Sequence, residues 1–263
     1  MTKEINIWNI KFNPYTRRQI VDIVEEWLKT GRRGIHLTGV NPETVVMAQK
    51  NAELKQAILE SDIVNIDNTL VMYSLRANGY TIPERAATPD VFELMLQAAE
   101  TEGQTVFFLG ATEQVSAKLE ENVRKQYPRL RIVGRRNGFY SDEDQIVREI
   151  AELAPDYLFL GLPSPQKECF ILHHKRELNC GVCYGVGGAF DVKGDFVKRA
   201  PEWLCRIGLE GTVRILHGPV RYGSRIFKFY PTFLHLVISE LSYHRNKTKN
   251  YQNRSQESLC SDK

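Results

Sequence analysis

Long apolar runs are missing from this sequence. The best membrane candidate, residues 226–241, is interrupted by Lys228, Pro231, His235 and Glu240. A spanning helix needs about 20 consecutive, mostly apolar residues, so we expect this stretch to lie on a membrane and not to cross one. The first ten residues also lack the apolar core of a secretory signal. We therefore expect a cytoplasmic protein.

Cysteine is scarce. The chain has 5 cysteines among 263 residues, an odd number with uneven placement. That pattern argues against a disulfide framework and suits a reducing cytosol. Cys180 and Cys183 form a CxxC pair, but a structural zinc site needs two further ligands at workable spacing, and none is nearby. We interpret the segment as a buried strand and expect no metal site.

A strong net charge is also absent. The formal charge of +3 is too small to indicate a nucleic-acid partner, and we expect none. Basic residues are nevertheless concentrated near the C-terminus, where residues 198–249 contain ten lysines and arginines against three acids. This local excess suits an anionic partner such as a membrane surface.

The glycine fingerprint of dinucleotide-binding proteins is incomplete. Gly110, Ala111 and Thr112 join a strand-like run to a helix-like run, but only one glycine of the GxGxxG pattern is present. This argues against a nucleotide-dependent dehydrogenase. Backbone N–H groups at such a helix start suit the phosphates of a nucleotide diphosphate instead.

Short apolar runs alternate with longer amphipathic ones, and this alternation predicts an α/β fold. The pattern is typical of a Rossmann-like parallel sheet with helices on both faces. The predicted strands are Ile5–Trp8, Gly34–Thr38, Ile63–Ile66, Thr105–Leu109, Leu130–Gly134, Asp156–Leu160 and Gly181–Val186. The predicted helices are Thr16–Lys29, Pro42–Glu60 in one or two pieces, Leu70–Asn78, Pro89–Glu102, Glu113–Tyr127, Asp142–Leu153 and Pro165–Leu178.

Three regions follow from this pattern. We predict a Rossmann-like domain over residues 1–195, a C-terminal helical appendage over 196–243 and a disordered polar tail over 244–263. In open parallel sheets, ligands bind beyond the carboxyl ends of the strands. The residues that follow each predicted strand are therefore the candidates for a site.

Two adjacent motifs place polar residues directly after a strand. In "HLTGVNPET", Asn41 is either a helix cap or a ligand-binding residue, with Thr38 and Gly39 beside it. In "IVNIDN", Asp67 precedes Asn68 at the start of a helix. The acid is either a capping residue, which the helix dipole favours in its charged form, or a catalytic base.

Two later motifs carry further candidates. "GLPSPQKE" offers Gln166 and Lys167 for a sugar hydroxyl or a phosphate, and Glu168 stands in the first turn of a helix. "YGVGGAFD" places Gly187 near Asp191, where glycine permits either a close ligand approach or a tight turn.

Three C-terminal arginines recur with gaps of seven and four residues. If that segment is helical, Arg214, Arg221 and Arg225 share one face. They form either a solvated basic face or a clamp for pyrophosphate, which the guanidinium fork suits.

Eight motifs in order resemble one family. They are TGVNPETVVMAQKN, SDIVNIDNTLVM, IPERAATPDVFE, FFLGAT, GLPSPQKE, GVGGAFDVKGD, KRAPEWLCRIGLEG and GPVRYGSRIFKFYPTFL. Over residues 5 to 240 the sequence resembles the WecG/TagA/CpsF family of bacterial glycosyltransferases, glycosyltransferase family 26.

The resemblance implies an inverting, metal-independent transferase without a cofactor. Such an enzyme moves a sugar from a UDP-sugar to a polyprenyl-pyrophosphate-linked saccharide in teichoic acid, capsule or exopolysaccharide synthesis. The resemblance further implies a Rossmann-like domain, an appendage that binds the inner face of the cell membrane, and an ability to form homo-oligomers.

The resemblance also assigns roles to residues. It implies that Asp67 is the general base and that Asn41 belongs to the catalytic centre, where we also place Thr38. It places Arg85 and Asp90 beside the pocket, and the three appendage arginines at the pyrophosphate. The predicted substrate contacts are Gly39, Asn68, Arg85, Asp90, Gly110, Thr112, Gln166, Lys167, Glu168, Gly187 and Asp191.

Several positions depart from the family pattern. The threonine of its TxN motif falls on Gly39, the glycine of its DG motif is Asn68, and its GxD motif reads Thr88-Pro89-Asp90. These departures indicate a subfamily with a different donor or acceptor. The alternative is a weakly active or non-catalytic member that binds UDP-sugar or anionic lipid.

Overall fold

The alternating pattern folds into two sheets and a set of covering helices. A computed structural model describes residues 4–198 and 227–242, together with the single positions 204 and 223. In these residues the strands are β1 (Ile5–Ile7), β2 (Ile10–Phe12), β3 (Ile35–Val40), β4 (Ile63–Ile66), β5 (Thr105–Gly110), β6 (Arg131–Arg136), β7 (Tyr157–Gly161) and β8 (Val182–Gly185). The helices are α1 (Arg17–Lys29), α2 (Pro42–Ala48), α3 (Ala52–Glu60), α4 (Thr69–Ala77), α5 (Thr88–Glu102), α6 (Glu113–Gln126), α7 (Glu143–Leu153), α8 (Gln166–His174), α9 (Ala189–Lys193) and the C-terminal helix 227–242.

The main sheet has six strands in the order β4-β3-β8-β7-β5-β6, and every pairing is parallel. Its central strands are buried except at Gly161, the last residue of β7, because helices cover both faces. Apolar residues of α1, α5, α6 and α9 pack on one face, and those of α7 and α8 pack on the other. The predicted α/β class with a parallel sheet is confirmed.

The first predicted strand was assigned to the wrong sheet. Ile5–Ile7 pairs antiparallel with Ile10–Phe12 in a separate two-stranded hairpin. Trp8 and Asn9 form its turn, both with positive φ (53° and 58°), which is the geometry of the tight turns that suit a hairpin's twist. Asn9 is typical of such a turn but bulky Trp8 is not, and the hairpin was not predicted.

The predicted helix Pro42–Glu60 is two helices. Asn51 accepts a hydrogen bond from the Leu54 backbone N–H at 3.0 Å and so caps a new helix, α3. The short helix α9 was not predicted, because its sequence was read as a glycine cluster.

A second apolar core joins the hairpin to the C-terminal helix 227–242. Phe233 is fully buried, Val237 is nearly so, and the Phe233 ring meets the Trp8 ring edge to face at 5.3 Å. This helix therefore packs on the hairpin side of the domain. No helix of the described residues is both long and apolar enough to cross a membrane. The predicted tail, residues 244–263, lies outside the described residues.

Candidate active site

The carboxyl ends of β3 and β4 bring two predicted residues together. The strands pair in register, with Val40 opposite Ile66, so Asn41 and Asp67 both follow paired residues. The backbone N–H of Asp67 also donates to the carbonyl of Val40 at 3.1 Å. The two side chains therefore start from neighbouring points of one sheet edge.

Asn41 caps helix α2. Its Oδ1 accepts hydrogen bonds from the Thr44 backbone N–H at 3.0 Å and from the Thr44 hydroxyl at 3.2 Å. Its amide Nδ2 makes no hydrogen bond within the described part of the chain. The cap thus fixes the side chain by its oxygen and leaves two N–H donors for a ligand.

Asp67 does not cap its own helix. Asn68 takes that role for α4, accepting the Leu70 backbone N–H at 2.8 Å. Oδ1 of Asp67 instead accepts the backbone N–H of Thr88 at 2.6 Å, at the start of α5. The N-cap residue of α5, Ala87, has no side-chain cap of its own, so Asp67 caps a distant helix.

The second oxygen of Asp67 has no hydrogen bond among the described residues, and the residue is only half-buried. One carboxylate oxygen is therefore held in place while the other can receive a proton. Capping and base catalysis do not compete here, because each uses a different oxygen.

Arg85 and Asp90 flank the start of α5. Nη1 of Arg85 donates to the Thr69 hydroxyl at 3.4 Å. Asp90 pairs with Arg17 at 3.3 Å, and Arg17 also binds Glu84, whose hydrogen bond raises the pKa of the guanidinium. Asp90 and Arg17 line a cavity of about 680 Å³ between α1, α5 and α9. Asp90 therefore already has a cationic partner.

The residues at the end of β5 have structural roles. A Cβ on Gly110 would lie 2.6 Å from the Gly161 backbone, and its φ of 131° is open to glycine. The Thr112 hydroxyl caps α6, accepting the Val115 N–H at 3.3 Å. β5 lies three strands from β3, about 14 Å at ordinary strand spacing. The structure does not bring Gly110 and Thr112 to Asp67.

The loop after β7 places its charged residues inward. Gln166 is exposed, but Lys167 and Glu168 are buried and bind each other. The Ser164 hydroxyl donates to Glu168 Oε1 at 2.7 Å and receives a hydrogen bond from Lys167. A Cβ on Gly185 would lie 2.9 Å from Lys167 Cδ, so the lysine stem crosses the end of β8. The structure places Lys167 and Glu168 in an internal ion pair rather than in open solvent.

The remaining predicted contacts fall at the end of β8. Gly187 adopts a positive φ of 50° in the turn that follows the strand. Asp191 stands in the first turn of α9, and its carbonyl accepts the Phe196 and Val197 N–H groups at 2.9 and 3.1 Å. Arg214, Arg221 and Arg225 lie outside the described residues.

Thr38 is not at the strand end. β3 runs two residues further than predicted, and the Thr38 hydroxyl bonds His36 Nε2 at 3.0 Å and Ser61 Oγ at 2.9 Å. All three side chains are buried. Burial also lowers the pKa of His36 to about 3, so the ring is neutral. This placement removes Thr38 from the site built around Asp67.

A polar cluster that sequence analysis missed lies beneath Asp67. Asn65 donates to the Ala86 carbonyl at 2.7 Å, and Tyr184 donates to Asn65 Oδ1 at 3.1 Å. Burial raises the pKa of the Tyr184 hydroxyl. The available signal was Asn65 itself, a polar residue inside the apolar run "IVNI".

Metal ligands are not clustered in the part of the chain that is described. No group of three or more histidines, cysteines, aspartates or glutamates in it could hold an ion. Cys180 and Cys183 are buried free thiols, as expected of a strand in the sheet.

Comparison with known proteins agrees with the motif-based resemblance. A sequence model described as the glycosyl transferase WecG/TagA/CpsF family matches residues 5–247. The chain belongs to this family. The resemblance is thereby confirmed, and with it the assignment of the chain as a glycosyltransferase.

Three similar proteins carry the same name, N-acetylglucosaminyldiphosphoundecaprenol N-acetyl-beta-D-mannosaminyltransferase. The protein from Bacillus subtilis (strain 168) is 29% identical over 216 residues, covering 82% of this chain and 84% of its own. That from Bacillus spizizenii is 30% identical, covering 84% and 85%. That from Staphylococcus aureus (strain MRSA252) is 24% identical, covering 90% and 92%.

Proposed function

We propose that the chain transfers a sugar from a UDP-sugar to a polyprenyl-pyrophosphate-linked saccharide, with inversion and without a metal. The family and the names of its relatives support this reaction class. The observation that carries it is the Asp67 carboxylate beside Asn41, held by one oxygen at the edge of the parallel sheet. The relatives' names make UDP-N-acetylmannosamine and a lipid-linked N-acetylglucosamine the first substrates to test.

The proposed step is a single displacement. The acceptor hydroxyl attacks the anomeric carbon on the side opposite UDP, so one carbon–oxygen bond forms as the bond to UDP breaks. The free oxygen of Asp67 takes the hydroxyl proton, and UDP leaves with the bonding electron pair. General base catalysis of this kind contributes about two to four orders of magnitude in rate.

The negative charge that develops on the departing UDP must be stabilised by positive groups. In this proposal the N-termini of helices and the arginines Arg85, Arg214, Arg221 and Arg225 provide this stabilisation in place of a divalent ion. Asn41 orients a substrate through its amide N–H groups, which its cap leaves available.

The C-terminal helix 227–242 supports action at a membrane surface. Phe227, Leu234 and Ile238 are 84%, 45% and 62% exposed. Their spacing of seven and four residues puts them on one face of the helix, while Phe233 and Val237 are buried in the core. We propose that this exposed face rests on the inner leaflet of the cell membrane, where a lipid-linked acceptor is found.

Vesicle binding tests the membrane part of the proposal. The chain should sediment with vesicles that contain anionic lipid, and replacing Phe227, Leu234 and Ile238 by serine should weaken this binding. Equal binding by the triple variant would remove the helix face from the proposal.

A donor panel tests the reaction. Wild-type protein is incubated in EDTA with several UDP-sugars and a short-chain polyprenyl-pyrophosphate N-acetylglucosamine. Transfer of one sugar with an inverted anomeric configuration is the expected result. Absence of transfer from every donor, together with absence of UDP binding, would contradict the proposal, and transfer only after a divalent ion is restored would contradict its metal independence.

A further inference from the structure

Two side chains at the end of β4 bind the segment that leads into α5. Asn65 Nδ2 donates to the Ala86 carbonyl at 2.7 Å, and Oδ1 of Asp67 accepts the Thr88 backbone N–H at 2.6 Å. The two side chains are two residues apart, and so are the two backbone groups that they bind. Because alternate side chains of an extended segment point the same way, both reach the same neighbour. Residues 86–88 are therefore held at two points, one of which is the candidate base.

The Asn65 contact fixes where the Thr88 N–H lies. Ala86, Ala87 and Thr88 are buried, and no side chain of Ala87 caps α5. The Ala86 carbonyl has no other hydrogen-bond partner in the part of the chain that is described. Without Asn65 it would be a buried acceptor left unpaired, which a folded chain avoids by moving the backbone. The position of the Thr88 N–H thus depends on Asn65.

Tyr184 determines which way the Asn65 amide faces. Its hydroxyl donates to Asn65 Oδ1 at 3.1 Å. A carbonyl can only accept, so Nδ2 must face Ala86 and Oδ1 must face the tyrosine hydroxyl. The reverse orientation would set Oδ1 against the Ala86 oxygen, two acceptors without a proton between them. Asn65 and Tyr184 are both 0% exposed, so water does not replace either contact.

Gly39 leaves room for this arrangement. The contact between Tyr184 and Asn65 crosses β3, which lies between β8 and β4, and Gly39 stands opposite Asn65 in the register. A Cβ on Gly39 would lie 3.2 Å from Asn65 Nδ2 and 2.1 Å from the Thr88 hydroxyl oxygen. A side chain at position 39 would therefore displace Thr88, whose N–H holds Asp67.

We propose that Asn65 and Tyr184 are positioning residues for the carboxylate of Asp67. Tyr184 orients the Asn65 amide, and Asn65 fixes the Ala86 carbonyl. The Thr88 N–H, two residues further on, then holds one oxygen of Asp67 and leaves the other with one direction. Both positioning residues are buried, so they act through Asp67 and not on a substrate. The inference rests on the proposed function, in which the second oxygen takes the acceptor proton.

Tyr184→Phe tests the proposal with a matched control. It removes one buried hydroxyl and keeps the ring. Tyr157→Phe does the same at the first residue of β7, where the hydroxyl donates to Glu25 of α1. We expect Tyr184→Phe to lower kcat about tenfold to a hundredfold, the scale of a small misplacement at a reacting centre, with KM for the donor unchanged. Tyr157→Phe should lose stability and keep kcat, and equal kcat in the two variants would overturn the proposal.

A double variant tests whether the two residues act in one chain of contacts. Asn65→Leu removes both amide contacts at similar volume, and we expect a larger loss of kcat than in Tyr184→Phe. Because Tyr184 acts through Asn65, Asn65→Leu/Tyr184→Phe should be no slower than Asn65→Leu alone. Losses that multiply would contradict the chain. Where Asn65→Leu does not fold, Tyr184→Phe and its control decide.

Amide hydrogen exchange separates this inference from the proposed function. Exchange of the Thr88 N–H needs no substrate. It should be about tenfold faster in Tyr184→Phe than in the wild type, since one lost hydrogen bond shifts a local opening by about that factor. Tyr157→Phe should leave it unchanged.

The two failures have different signatures. If the wild type transfers no sugar from any donor, the proposed function fails, and exchange at Thr88 alone judges the contacts from Tyr184 to Asp67. Exchange at the wild-type rate in Tyr184→Phe would overturn the inference whether or not sugar is transferred.

Discussion

Charged residues follow the carboxyl ends of two strands of the main sheet, β4 and β7, and their environments are opposite. After β4, Asp67 is half-buried, and one of its two oxygens is held by Thr88. After β7, Lys167 and Glu168 are buried and bound to each other and to Ser164. The first arrangement leaves a carboxylate oxygen for chemistry. The second pairs the two charges inside the protein, where Glu168 Oε2 is buried and has no hydrogen-bond partner among the described residues.

The residue next to each charge accounts for the difference. Asn68 caps α4, so Asp67 does not cap that helix. Asp67 accepts a hydrogen bond from the first residue of α5 instead. No side chain caps α8 at Pro165. Lys167 there crosses Gly185, which offers no Cβ to block it, and meets Glu168 in the interior. Strand ends with similar polar residues thus acquire different roles through their neighbours.

Breaking the internal pair should have the largest effect on stability. Lys167→Met leaves Glu168 buried without a partner charge, and such a change costs about 3–5 kcal/mol. Replacing both residues, as in Lys167→Met/Glu168→Gln, should recover much of that loss because no charge is left unpaired. Urea unfolding measures both variants. A loss of less than about 1 kcal/mol for Lys167→Met would show that the pair is not desolvated as described.

Acid should lower the free energy of unfolding through His36, which is buried with Thr38 and Ser61. Burial lowers the pKa of His36 to about 3, whereas an unfolded histidine titrates near 6.5. At pH values between these two pKa values, the His36 ring is protonated in the unfolded chain and neutral in the folded chain. The contribution of His36 to the free energy of unfolding is therefore present above pH 6.5 and is lost as the pH falls. The loss from pH 7 to pH 5 should be about 2 kcal/mol.

His36→Gln isolates that contribution. Other groups titrate in the same range, so the informative quantity is the difference between wild type and variant in the pH dependence of unfolding. The variant should lose about 2 kcal/mol less over this interval. An identical pH dependence in both proteins would contradict a buried neutral His36.

Replacing two matched asparagine caps should have a smaller effect on stability. Asn41 and Asn51 each accept a backbone N–H at 3.0 Å, at the starts of α2 and α3. Replacing either by alanine should cost about 1 kcal/mol in the free energy of unfolding. Only Asn41 stands at the sheet edge beside Asp67, so only Asn41→Ala should also lower kcat/KM. Equal kinetic losses in both variants would mean that the effect of Asn41 is that of a cap alone.

Sequence periodicity was sufficient for most of the fold. Apolar runs and amphipathic segments located the parallel sheet, and Asn41 and Asp67 could be placed at its edge because adjacent parallel strands end together. The hairpin was missed because bulky Trp8 occupies one of the two positive-φ positions of its turn, although Asn9 at the other is a typical turn residue. β3 continued to Val40, which moved Thr38 into the core.

Contacts between distant segments were the part that periodicity could not predict. Lys167 and Glu168 were predicted as substrate contacts, and only the structure shows that they turn inward and pair, with the Lys167 stem against Gly185. The close approach of Thr88 to Gly39 joins α5 to β3, and no local motif predicts it.

We propose Asp67 as the general base, and the variant Asp67→Asn tests this role. The amide oxygen can still accept the Thr88 N–H, so α5 keeps its cap while the proton acceptor is lost. Single-turnover sugar transfer and UDP affinity should be measured on both proteins. We expect transfer to fall by about two to four orders of magnitude, with UDP affinity and unfolding midpoint unchanged. Transfer at the wild-type rate would contradict the account.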